Sequence, residues 1–117
     1  MSTRQESRQY NRARIRWPIT IRLPEDPIDG QTVDLSINGA YIYSEQRPKI
    51  GNILSEQIPK TGEVFAITIK PPKRSPLEIH AKLLWIRDER ITSVDIGTCF
   101  TKISDEDRLF LAAVVSG

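Results

Sequence analysis

LEIHAKLLWI, residues 77–86, alternates apolar and polar side chains over its first seven positions and then runs into a tryptophan. A period of two reads as a β-strand, with Leu77, Ile79, Ala81, Leu83 and Trp85 on one face. Similar, shorter runs lie on both sides. Residues 63–70 turn Phe65, Ile67 and Ile69 inward, and PPKRSP (71–76) is a stiff polar turn. RDER (87–90) leads into a last strand at about 93–101. Upstream, residues 14–23 place Ile15, Trp17, Ile19, Ile21 and Leu23 on one face and Arg14, Arg16, Pro18, Thr20 and Arg22 on the other. Pro18 lacks an N–H and so suggests an edge strand or a bulge. PEDPIDG (24–30) reads as a loop, and 32–36 as a short strand with Val33 and Leu35 inward. Asn38-Gly39 is a tight-turn signal before a return strand at 40–44. Pro48, Gly51, Pro59 and Gly62 punctuate residues 45–62, where a short helix near 53–58 is expected. The period then changes. Ser104 begins a capping-box-like sequence with acids in the first turn and Asp107 at the position usual for Glu or Gln, which predicts a helix over 104–115. The fold class is mainly β: a small six-stranded antiparallel barrel with a C-terminal helix that covers one opening or packs on its side. Residues 1–13 read as a flexible arm and 14–117 as a single barrel domain.

The composition narrows the function. The chain has 117 residues, 27% of them charged and 38% hydrophobic, which suits one soluble domain. No apolar run is long enough for a membrane helix, and MSTRQESRQYNR has no apolar stretch after its charges, so a cytoplasmic location without membrane insertion is expected. Cys99 is the single cysteine and lies in an apolar run, where a buried structural thiol is expected; His80 is the single histidine. One of each cannot build a zinc site. The net charge of +2 hides an asymmetry. Residues 1–22 hold six arginines and no lysine against one acid, Glu6, while the remainder is net −3. Arginine is the cation suited to bidentate contact with phosphate and guanine edges. Arg14 and Arg16 read as the solvated face of an edge strand.

Two groups carry chemistry. Arginines recur at 4, 8, 12 and 16, giving overlapping R-x-x-x-R pairs. Asp34-Leu35-Ser36-Ile37-Asn38-Gly39 is a D-x-S-x-x-G pattern leaving a strand. Period two puts Asp34 and Ser36 on one face, opposite Val33 and Leu35 and therefore outward, while Gly39 permits a positive φ or a close approach. A carboxylate and a hydroxyl beside an arginine arm could receive a purine and its phosphates. Taken alone, Asp-x-Ser before Asn-Gly favours a plainer reading, in which it caps a hairpin through side-chain-to-backbone bonds.

Together the two groups resemble the PilZ domain family, whose R-x-x-x-R is followed some two to three dozen residues later by [D/N]-x-S-x-x-G. Arg8-Gln9-Tyr10-Asn11-Arg12 and residues 34–39 fit, and Pro18-Ile19 follow Arg12 at the family's spacing. AKLLWIRDE and IGTCFTKISDEDRLFL are similar to its closing strands and acidic helix start. The resemblance implies a six-stranded barrel that binds cyclic di-GMP through Arg8, Arg12, Asp34, Ser36 and Gly39. Ser7 stands where the family often has a basic residue that influences whether one ligand or a stacked pair binds, and residues 45–62 are longer than the usual connection.

The expected function is therefore a cyclic di-GMP receptor and not an enzyme. No metal and no further cofactor are expected, and an unidentified downstream effector protein is the expected partner. The arm would fold over the ligand and make a new surface for that partner. Trp85 is expected to fill the core rather than to stack on a base. The alternatives are a PilZ-like protein-interaction module that binds no nucleotide and a general nucleic-acid binder. The basic residues lie on one arm of a net acidic body, which speaks against a nucleic acid polymer as partner. No His accompanies Asp34 and Ser36 nearby, and no glycine-rich phosphate loop is present, which leaves an enzyme least favoured.

Overall fold

The computed structural model describes residues 12–24, 27–45, 61–87 and 93–116. The expected helix near 53–58 and Arg8 lie outside them. Six strands are present: β1 (Pro18–Arg22), β2 (Ile28–Leu35), β3 (Gly39–Ser44), β4 (Val64–Ile69), β5 (Leu77–Arg87) and β6 (Val94–Lys102), followed by one helix, α1 (Asp105–Ser116). The strands close into a barrel in the order β1-β2-β3-β6-β5-β4, with every pairing antiparallel.

Alternation builds the interior. Ile19, Ile21, Ile42, Ile67, Ile69, Leu77, Ile79, Leu83 and Val94 are all but fully buried, and Leu111 of α1 joins them. At roughly 25 cal/mol per Å² of apolar surface, this shared core dominates the stability of the fold. Two boundaries differ from the sequence reading. The loop after β1 is shorter than 24–30, because Ile28, Asp29 and Gly30 already pair with Ile21, Thr20 and Ile19. Ile28 closes the core there. The ladder of β1 also begins at Pro18, not at Arg14. β1 is no edge: β2 and β4 flank it, and Pro18 is tolerated as its first residue, where a donor can be spared. Residues 13–17 instead run alongside β2, with Ile15 and Trp17 half-buried against the core.

Ser104 caps α1, its hydroxyl accepting from the Asp107 N–H at 3.1 Å. The Asp107 carboxylate does not complete a capping box; it accepts from Arg74 Nη2 at 2.8 Å. The Arg74 guanidinium also lies 4.2 Å from the centroid of Phe110, which stacks on Trp17 at 5.9 Å. The helix is thereby pinned between the β4–β5 turn and the segment that enters β1.

Candidate functional site

Asp34 reaches the outer face through an irregularity. Thr32 pairs with Ile42 and Asp34 with Tyr41, so Val33 is an extra residue in β2. The bulge lets Thr32 and Leu35 point inward, leaves Val33 half-buried and returns Asp34 to the outside. Simple alternation misassigns Val33 for this reason. Arg12 meets Asp34 there, Nη1 to Oδ1 at 2.7 Å, with side-chain exposures of 58% and 25%. Backbone strapping holds Arg12 in place. Ala13 and Leu35 exchange two N–H···O bonds of 2.9 Å. The Thr32 hydroxyl donates to the Ile15 carbonyl and accepts from the Trp17 N–H.

Ser36 does not share the outward face of Asp34, contrary to the period-two reading. β2 ends at Leu35, and the chain turns so that Ser36 is 2% exposed. Its Oγ accepts from the Asn38 N–H at 3.1 Å, and its N–H donates to the Gly39 carbonyl at 2.9 Å. This is the side-chain-to-backbone cap that Asp-x-Ser-x-Asn-Gly also allows. Gly39 has no positive φ. A Cβ on it would stand 2.2 Å from the Thr98 carbonyl, so glycine is required by the close approach of β6. Ser36 and Gly39 shape the turn that carries Asp34, while Arg12 and Asp34 face outward.

The register extends the site beyond these residues. Asp34 stands opposite Tyr41, Tyr41 opposite Gly97 and Gly97 opposite Trp85, forming one row across β2, β3, β6 and β5 on the outer face. Trp85 therefore does not fill the core. A second bulge, at Leu84, shifts the phase of β5, and Trp85 is 38% exposed. Its indole lies on Gly97, where a Cβ would come within 2.2 Å of Cε2 and Nε1. Tyr41 meets it edge-on, with centroids 5.3 Å apart. Sequence reasoning missed this aromatic ledge. Gly97 inside a strand was its one signal, since such a glycine often marks a close approach.

The next row is Gln31, Tyr43, Asp95 and Arg87. Beside it an open depression of about 490 Å³ is lined by Arg16, Gln31, Tyr43 and Glu45 among others. Arg16 thus borders this depression and does not lie on a sheet edge. Cys99 is half-buried, not fully buried, and faces outward on β6. Among the described residues no three His, Cys, Asp or Glu side chains group as a metal site, and no helix is long and apolar enough to cross a membrane. A guanidinium, a carboxylate and an aromatic ledge in line can grip an anion, accept from an N–H edge and take a planar ring.

Known proteins with this architecture share the fold at low identity. The inhibitor of motility MotI/DgrA of Bacillus subtilis matches with a TM-score of 0.72 at 19% identity, over 93% of this chain and 49% of its own. The chain thus spans about half that protein's length. The PilZ domain of Escherichia coli YcgR, solved with c-di-GMP, matches with a TM-score of 0.72 at 18% identity, over 93% of this chain and 88% of its own. The PlzA protein of Borreliella burgdorferi, solved in complex with c-di-GMP, matches with a TM-score of 0.57 at 14% identity, over 99% of this chain and 48% of its own. Comparison with curated proteins gives no match. The PilZ domain family model matches residues 6–117, nearly the whole chain, and the closed barrel with its C-terminal helix agrees with it: the chain belongs to the PilZ domain family.

Proposed function

We propose that the chain is a receptor domain for cyclic di-GMP that works in the cytoplasm and passes ligand occupancy to a partner protein. The observation that carries this reading is the outward pair of Arg12 and Asp34 at 2.7 Å, set at the end of the row formed with Tyr41, Gly97 and Trp85. A cyclic dinucleotide offers phosphate oxygens and guanine acceptors to guanidinium groups and donor N–H groups to a carboxylate, so it can engage both partners of the pair at once. YcgR and PlzA, which share the fold, are solved with c-di-GMP.

In this reading Arg8 and Arg12 grip the ligand from the arm, and Asp34 accepts from a guanine edge. Ser36 and Gly39 hold the turn that presents Asp34. Closure of the arm over the ligand creates the surface that the partner reads. No step requires bond making or breaking, and the domain acts as a receptor and not as a catalyst.

Titration calorimetry with cyclic di-GMP, with GTP as competitor, tests the reading. The expected result is saturable binding that GTP does not displace and that an Arg12→Ala, Asp34→Ala double variant loses. No heat from the folded wild type at high ligand concentration would overturn it in favour of a protein-interaction module.

A further inference from the structure

Arg87 and Asp95 stand directly opposite each other across β5 and β6, a position at which opposite charges ordinarily pair. They do not pair. The Arg87 guanidinium lies over the ring of Trp85, with Cζ 5.3 Å from the centroid. Asp95 is 6% exposed, and its carboxylate has no hydrogen bond or ion pair among the described residues. Its other cross-strand neighbour, Tyr43, directs its hydroxyl to Glu45 at 3.4 Å. The inner face of the Trp85 indole is closed by Gly97. Arg87 therefore covers the outer face, the one open to a planar ring arriving beside Tyr41 and Asp34.

One guanidinium thus has two places to sit. Over the indole it makes a cation–π contact that is weak where solvent reaches it. Beside Asp95 it would neutralise a buried carboxylate, but only by giving up its own solvent, a cost that offsets the gain while the indole face is free. We propose that Arg87 is a latch: it covers Trp85 in the empty site and swings to Asp95 when a planar base takes its place. Asp95 is then a positioning residue that favours the occupied state without touching the ligand. An anion that engages Arg12 alone leaves the latch closed, so the device selects for ligands that bring a base along with a phosphate.

The proposal rests on the receptor reading, and its test separates the two. Cyclic di-GMP is titrated into the wild type, Arg87→Ala, Asp95→Asn and the double variant, and thermal unfolding of each free protein is followed. Asp95→Asn is expected to raise the thermal midpoint, because a buried unpaired charge is gone, while weakening binding by about tenfold, because the arriving base no longer gains an ion pair. In the Arg87→Ala background, Asp95→Asn should leave affinity unchanged. Wild-type affinity in Asp95→Asn, or an equal loss in both backgrounds, overturns the latch. Should the wild type bind no cyclic di-GMP, the receptor reading fails and the latch is still read by acrylamide quenching of Trp85 in a Trp17→Phe background. Stronger quenching on Arg87→Ala supports the cover, and unchanged quenching overturns it.

Discussion

Arg12 and Asp34 neutralise each other at 2.7 Å while the arginine stays more than half exposed. Exposed pairs of this kind contribute about 0–1 kcal/mol, so the pair matters little to folding. In the proposed receptor it matters more to binding, because a ligand that supplies both a phosphate and an N–H edge would replace the pair on both sides. Arg12→Ala is expected to change the unfolding free energy by less than about 1 kcal/mol and to weaken cyclic di-GMP binding by at least about tenfold. Urea unfolding and calorimetry on one preparation check this; a large stability loss with unchanged affinity would make the pair structural. Gly97 poses the opposite case. A Cβ there meets Trp85 at 2.2 Å, and the indole, being partly exposed, can move while the barrel stays closed. Gly97→Ala should cost about 1–3 kcal/mol, alter the near-ultraviolet circular dichroism of tryptophan and lower affinity, although no charged residue has changed. An unaltered tryptophan signal would contradict the packing argument.

At the scale of elements, the strands were legible because their inward positions are Ile, Leu, Val and Phe at period two, as β4 and the first half of β5 illustrate. The bulges were not legible. An extra residue at Val33 or Leu84 is set by how neighbouring strands share register around a closed barrel, and no local sequence pattern marks it. Those two residues decide which side chains reach the candidate site: one returns Asp34 to the surface and the other brings Trp85 there. The turn after β2 was legible only as two competing readings of one motif, since the same Asp, Ser and Gly can face a ligand or cap a hairpin. The helix start shows the same limit. Its cap was readable from Ser104 and the acids behind it, but the partner of Asp107 is Arg74, 33 residues away. The consequence is a ranking. Ser104→Ala removes one capping bond and should cost about 1 kcal/mol. Arg74→Ala strips a partly buried carboxylate of its partner and Phe110 of its cation, and should cost about 2–3 kcal/mol. Thermal unfolding of the two variants checks the order, and a reversed ranking would mean that Arg74 does not pin the helix.

For the molecule as a whole, the chain before Arg12 carries charge and no member of the described core. The arginine-rich end supplies the candidate guanidinium contacts and the barrel supplies Asp34 and the aromatic row, while the described core draws on residues from Ile15 to Leu111. All six strands are hydrogen-bonded on both sides, so closure of the barrel does not depend on anything before Ala13. Folding and binding should therefore separate when the chain is shortened. Deleting residues 1–11 removes Arg8 but no member of the described core, and the thermal midpoint is expected to stay within a few degrees of the full chain. Cyclic di-GMP binding should nonetheless fall below detection, because Arg12 and Asp34 would be left to hold the ligand from one side. Amide exchange on the full chain provides the complementary reading. Ligand should slow exchange across residues 4–13 and leave β4 and the first half of β5, on the far side of the barrel, unchanged. If the shortened chain bound as tightly as the full one, or if exchange in residues 4–13 did not respond, the arm would be a charged extension without a part in recognition. The affinity would then have to come from the outer face of β2, β3, β6 and β5 alone.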